Sequence, residues 1–210
     1  MAYSDFNLKS VKQAFSLKTE EQSDLFAKVG DAKVSELLQA WLNEMVPLGL
    51  TIGTQKARSE MIIVPILVEA RRLIQRRVSL FSGIEFDVAP EQGLNGMSDF
   101  IFSKSPEQLM LTSPSLVIVG SQKEDVNAAI PSCIAQMVAA RIFNEREETN
   151  LKIIYGAVTA GSIWKFLKLE NQTVFVDRTE YYLPQTGRIL GILSHIFHEG
   201  GTMVQQKTAP

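Results

Sequence analysis

The chain has little of what most catalytic and metal-binding motifs require. Among 210 residues it holds one cysteine, Cys133, and two histidines, His195 and His198. A single cysteine excludes an internal disulfide and any cysteine-based zinc cage, and it suits a reducing, cytoplasmic setting. The two histidines stand three apart with no third ligand nearby, so they read as surface or helix-dipole residues rather than a metal site. Long apolar runs are missing too. The stretch 61–68 falls far short of the ~20 residues that cross a bilayer, and no membrane partner is expected. The first residues, Met-Ala-Tyr-Ser-Asp-Phe, lack a basic stretch followed by an apolar one, so no secretory signal is expected. Excess charge is lacking as well: the net value of -2 gives no overall attraction for nucleic acid, and such binding would need a local basic patch. The glycines from Gly156 to Gly161 are not followed by the Gly-Lys-Ser/Thr ending of a phosphate-binding loop. Serine and cysteine nucleophiles have no evident base partner, and no internal repeat is visible.

What is present is enough apolar sequence for a real core. Hydrophobic residues make up 45% and charged residues 21%, the balance of a folded globular chain. A chain this long buries roughly 70% of its unfolded surface. Residues 1–50 read as a helical N-terminal extension: Leu8, Val11 and Phe15 at helical spacing, a second segment from Thr19 to Val29, and a third capped by Ser35. The third carries Leu37, Leu38, Trp41, Leu42 and Met45, and Pro47 with Gly49 is expected to end it. That apolar stripe suits packing on the main domain, with partner recognition as the alternative.

Residues 51–198 read as one α/β domain. Thr54 opens a long helix, 55 to about 77, in which Pro65 should cause a kink or a break. Glu60 shares a face with Val64 and Leu67, which would turn its carboxylate inward as a site residue; the alternative is an acid placed early in the helix by its dipole. Arg71, Arg72, Arg76 and Arg77 crowd the end, either serving the dipole or forming a phosphate-contacting patch. From Val78 the apolar period shortens to two: a strand over 84–88, one over 99–102 and one over 116–119. A helix to about Asn144 follows, with Pro131 in its first turn and Cys133 on its apolar face. Strands over 151–158, 163–169 and 173–177 and a helix from about 186 to 198 complete the pattern. The crossover between 119 and 151 suits a parallel strand pair, whereas the first three strands have meander-length connections. A mixed sheet with helices on both faces results. The tail 199–210 is expected to be disordered.

The αβββαβ order, with Asp99 opening one strand and Gly120-Ser-Gln122 closing the next, resembles the restriction-endonuclease-like PD-(D/E)XK nuclease superfamily. More narrowly, the chain is similar to a group of mainly cyanobacterial proteins. The likeness lies in phrases from residue 54 to 193: Thr-Gln-Lys-Ala-Arg-Ser-Glu60, Leu-Phe-Ser-Gly83, Gly-Leu-Asn-Gly-Met-Ser-Asp99-Phe, Cys-Ile-Ala-Gln-Met-Val-Ala-Ala140, Tyr-Gly-Ala-Val-Thr159, Trp-Lys-Phe-Leu-Lys168 and Ile-Leu-Gly-Ile-Leu193. Each phrase is weak alone; their order and spacing over two-thirds of the chain make the match.

The resemblance implies a site in which an aspartate and the Glu of a Glu-x-Lys strand hold Mg²⁺, with the lysine assisting the attacking water. Asp99 matches the aspartate. Gly120 stands at the Glu position and Gln122 at the Lys position, while Ser132 stands where relatives often carry glutamine. The resemblance therefore implies a catalytically impaired nuclease-like protein, nucleic-acid-associated or scaffolding, with no cofactor. Two alternatives stay open. A bulge at Gly120-Ser121 would swing Lys123 inward, and Glu60 with Asp99 would then complete an active, Mg²⁺-dependent DNA endonuclease. Without a bulge, Lys123 faces away and Glu124 lies about 13 Å along the strand from position 120. The second alternative is a protein-interaction or dimerisation module using the 1–50 helices or the last helix. DNA and a second copy of the chain are the partners these readings name.

Overall fold

The computed structural model describes residues 1–112, 115–121, 125–149 and 151–199, and the expected tail from 200 onward lies outside them. In chain order the elements are α1 (Leu8–Ala14), β1 (Lys18–Glu20), α2 (Glu36–Ile52), α3 (Gln55–Arg58), a π-helical turn (Ser59–Ile63), α4 (Val64–Leu73), β2 (Ser79–Glu85), β3 (Met97–Ser103) and β4 (Ser115–Ser121). Then come α5 (Ile130–Arg146), β5 (Ile153–Thr159), β6 (Ile163–Glu170), β7 (Thr173–Val176), β8 (Tyr181–Tyr182) and α6 (Thr186–Glu199). The strands form one mixed sheet in the order β1-β7-β6-β5-β4-β3-β2, with β8 alongside β6. β2, β3 and β4 form an antiparallel meander, and α5 carries the chain across to β5, which runs parallel to β4 as the connection length requires.

Period-two alternation sorts side chains between two cores. On β3, Ile101 joins the core under α5, while Phe100 and Phe102 join the core under α4 and α6. α5 is buried from Cys133 through Ala140, because the sheet lies beneath it and the N-terminal segment with α1 lies above. Cys133 is inert core as expected. Burial pushes its thiol up to about 12, far from the range of a reactive thiolate.

The segment 1–50 departs from three helices. Its middle part forms strand β1, paired in parallel with β7, and residues 21–34 contain no helix. The cause is tertiary. Phe26 is buried against the rings of Tyr155, Phe166 and His195, and Ala32 N–H donates to Gly187 O at 2.8 Å. Contacts of that kind outweigh helix propensity, which is a weak preference. α2 passes through Pro47 and Gly49, where the pattern placed its end, and stops at Gly53. There φ of 70° forms the left-handed cap that glycine favours. Pro47 is exposed, so the carbonyl it fails to serve can bond to water.

The helical run 55–73 carries on through Pro65. It widens into the π turn just before that residue, where Val64 N–H reaches back to Ser59 O. A proline at 65 cannot donate to the carbonyl of residue 61. That carbonyl accepts the Trp41 indole N–H at 2.9 Å instead. The run ends at Leu73, earlier than its arginines suggest, in a turn with Gln75 and Arg76 both at φ 58°. β2 also lies earlier than its alternating pattern. It ends at Glu85, although Phe86 and Val88 stay buried, because Asp87 Oδ1 accepts from Gly96 N–H at 2.7 Å and folds the chain into the next turn. Among the described residues no helix is long and apolar enough to cross a membrane.

Candidate functional site

β3 and β4 carry the centre of the candidate site. Phe100 pairs with Val119 in their antiparallel ladder. Continued one step beyond its last pair, that register would set half-buried Asp99 opposite Gly120. Opposed residues of an antiparallel pair present their side chains to the same face, so Gly120 occupies the place from which a second acid would stand beside Asp99. Gly120 is buried, and no described heavy atom lies within 4 Å of where its Cβ would be. Among the described residues nothing takes the place of a side chain there.

Glu60 reaches the same region from the helix. It and Asp99 line one open cleft of about 520 Å³, together with Lys56, Ser59, Ser82 and Gly83. The expected inward carboxylate is not what forms. The Glu60 side chain keeps 58% of its exposure and makes an ion pair with Lys56 at 2.8 Å, one helical turn earlier. That carboxylate holds the Lys56 ammonium above its ordinary range. The reason for the outward turn is the π segment. It adds a residue to the turn containing Glu60, so a face counted at 3.6 residues per turn from Glu60 to Val64 and Leu67 is rotated out of register. Leu67 is buried and Glu60 is not.

Gln122 and Lys123 lie outside the described residues, as does Glu124. Around the expected bulge, β4 and β5 keep an unbroken register through Gly120↔Val158 and Ser121↔Thr159. The register shift of β4 against β3 falls elsewhere, between Phe102 and Ser103.

Ser132, at the position of the relatives' glutamine, is half-buried and accepts from the Gln136 side-chain amide at 3.3 Å. Gln136 sits one turn later in α5, is 6% exposed, and leaves its own Oε1 without a partner among the described residues. It went unnoticed in the sequence, although an amide inside the run Ile134-Ala-Gln-Met-Val-Ala-Ala is the only polar group in seven residues. Asp177 was also missed. It is fully buried after β7 and accepts from Leu25 N–H at 3.3 Å, Thr179 N–H at 3.2 Å and the Tyr181 hydroxyl at 3.0 Å. Burial pushes the Asp177 carboxyl and the Tyr181 phenol upward. Its partners all belong to the protein, so Asp177 ties the irregular segment near Leu25 to the sheet. The two histidines do not converge. His195 meets the edge of Phe26, and exposed His198 donates from Nδ1 to Ser194 O at 2.7 Å.

A hard divalent cation such as Mg²⁺ needs several oxygen ligands in near-octahedral array. The described parts of β3 and β4 contribute one carboxylate, Asp99, and the adjoining position contributes a hydrogen atom. Among the described residues no group of three or more His, Cys, Asp or Glu is placed to hold a metal ion. The side chains at Asp99 and Gly120 do not fit the Mg²⁺ centre that the family resemblance implies. Compared with known proteins, the chain matches no protein-family model and no curated protein.

Proposed function

We propose that this chain is a catalytically impaired nuclease-like protein of the restriction-endonuclease-like type, retained as a nucleic-acid-associated or scaffolding domain. The observation behind this reading is the β3–β4 register: continued one step past Phe100 and Val119, it would bring Asp99 opposite Gly120, which has no side chain to act as a second acid. The antiparallel β2–β3–β4 meander, followed by α5 and the parallel step to β5, supports it as a frame. Metal-assisted phosphodiester hydrolysis requires a cation held by protein oxygens to generate the nucleophile and neutralise developing charge. With the second acid missing, that requirement is not met.

The test is cleavage and binding of duplex DNA. The wild-type chain is expected to leave DNA uncut with Mg²⁺ or Mn²⁺ while shifting its mobility at low salt. Gly120→Glu is expected to raise Mn²⁺ affinity, measured by titration calorimetry, and Asp99→Ala in that background to remove the gain. Wild-type cleavage abolished by Asp99→Ala would replace this reading with an active Mg²⁺-dependent endonuclease using Glu60, Asp99 and Lys123.

A second reading, an interaction or dimerisation module, is favoured by the surface of α2. Leu37 is 70% exposed, Trp41 42%, Leu48 47% and Ile52 47%, and their spacing puts them on one side of the helix. Reversing the helix maps Leu37 onto Ile52 and Trp41 onto Leu48, the self-complementarity a two-fold interface requires. A concentration-dependent dimer by light scattering that Trp41→Glu dissociates, with no DNA binding at low salt, would favour this reading over the first.

A further inference from the structure

We propose that the turn after α4, the end of β3 and the end of α6 together build a phosphate-binding site, with Arg77 and Lys104 as its cationic residues and the His198 imidazole as a third polar group. The three side chains line one cavity of about 280 Å³, backed by Val78 and Phe197. They come from three separate parts of the chain and converge only in the folded state. Among the described residues no carboxylate lines this cavity.

Two other cations of this region are already engaged. Arg71 Nε donates to Val78 O at 2.7 Å, and Arg72 pairs with Glu69 at 3.1 Å. Lys104 is not engaged: its ammonium has no hydrogen-bond or ion-pair partner among the described residues. Burial without a counter-ion pulls it below the ordinary lysine range. An anion in the cavity removes that penalty.

α4 and α6 both end here, and the negative ends of their dipoles attract positive charge. That explains His198, whose Nδ1 donates to Ser194 O within its own helix. It does not explain Lys104, which follows a strand and donates to no helix carbonyl. With Nδ1 engaged, His198 keeps Nε2 for a ligand, and Arg77 uses one terminal nitrogen on Gln75 at 3.3 Å and keeps the rest of its fork. Two cations and an imidazole on separate elements suit a tetrahedral anion better than a planar carboxylate, because a phosphate group offers Arg77 and Lys104 separate oxygens and the His198 Nε2 a further P–O or P–OH group.

This site is separate from Asp99, which lies five residues back along β3, about 16 Å at strand rise. It stands or falls independently of the nuclease-like reading, because inorganic phosphate alone tests it. In ¹⁵N-labelled full-length protein, phosphate is expected to shift the signals of Arg77, Lys104 and the His198 ring, beyond the effect of chloride at equal ionic strength. Lys104→Gln and Arg77→Gln are each expected to weaken phosphate binding about tenfold, the loss of one charge-assisted hydrogen bond. Arg72→Gln leaves it unchanged. Arg77 is exposed, so its variant keeps the test valid should the Lys104 variant fail to fold. A duplex oligonucleotide then separates the two sources of such a phosphate. If phosphate competes with the duplex and the same variants weaken duplex binding, the ligand is a nucleic-acid backbone; if duplex binding is indifferent to both, it is a small phosphate ester. Signals that move no more with phosphate than with chloride, or phosphate binding equal to wild type in both folded variants, would overturn the proposal.

Discussion

Two glycines on neighbouring strands show how differently the same residue can be required. Gly156 on β5 lies under α5, and a Cβ there would stand 2.5 Å from Met137 Sδ and 2.9 Å from Cys133 Sγ. Gly120 on β4 meets no described atom within 4 Å at the same point. Neither needs a left-handed backbone, since neither is among the glycines of positive φ. Gly156 is glycine because the helix packs on it. At Gly120 no described residue makes such a demand, and on the proposed reading the absent side chain is a lost acid. The contrast sets a glycine required by packing against one that no described contact requires.

The comparison can be broken by giving each glycine a methyl group. The largest effect is expected at a third one, Gly191 on α6. There a Cβ would run into the carbonyl of Gly30, and backbone cannot swing aside as a side chain can. Gly191→Ala should cost about 4 kcal/mol or prevent folding. Gly156→Ala should cost about 2 kcal/mol, within the usual range for overpacking, because Met137 can rotate away. Gly120→Ala should be neutral or stabilising by up to ~1 kcal/mol, since it removes glycine's excess freedom in the unfolded chain. Urea unfolding of the three variants orders them. A Gly120→Ala cost equal to that of Gly156→Ala would make Gly120 a packing glycine and remove the main support for a lost acid.

The two aspartates sharpen the contrast from the side of the acids. Asp99 is half-buried near the end of the paired part of β3, whereas Asp177 is fully buried and held by donors from Leu25, Thr179 and Tyr181. Asp177→Ala should cost about 3 kcal/mol by orphaning these buried donors, second only to Gly191→Ala. The pH dependence follows from the raised Asp177 pKa, caused chiefly by burial. The folded chain holds this proton to a higher pH than the unfolded chain does. The group's contribution is therefore fully present below the ordinary carboxylate range and is lost as pH rises through the folded value. Asp177→Asn cannot ionise, so it should flatten that part of the stability profile, the smallest of these effects. Urea midpoints across the acid range measure it, and an unchanged slope would mean another group sets it.

The sequence was most informative where local pattern and connection length agree. Apolar alternation located the strands around Asp99, 116–119 and 151–158, and the crossover length gave the parallel pairing of β4 with β5. The cap of α2 at Ser35 was legible because a serine oxygen and the amide it serves are three residues apart. Glu60 shows where such reading stops. Its direction was inferred from a regular helix, and one π turn, accommodating Pro65 with help from Trp41, reversed it. Residues 19–29 were read as a helix, whereas what fixes them as a short strand and a turn is distant in sequence. Gly187 and Gly191, one turn apart on α6, let the backbone at Gly30 and Ala32 lie directly against that helix. Their four-residue spacing was the available sign of close approach.

By itself the sequence determined most of the element types beyond residue 50, the core-forming alternation and the identity of the residues at Asp99 and Gly120, because these depend on neighbours within a few positions. Only the tertiary structure decided that Asp99 and Gly120 share a strand pair, that Glu60 stays on the solvent side of their cleft, and that Arg77, Lys104 and His198 meet around one cavity. Those facts depend on register, on a helix changing phase and on three chain ends converging. The physical reason is that such arrangements are fixed by packing between segments far apart in the chain, and local residue preferences are too weak to specify it.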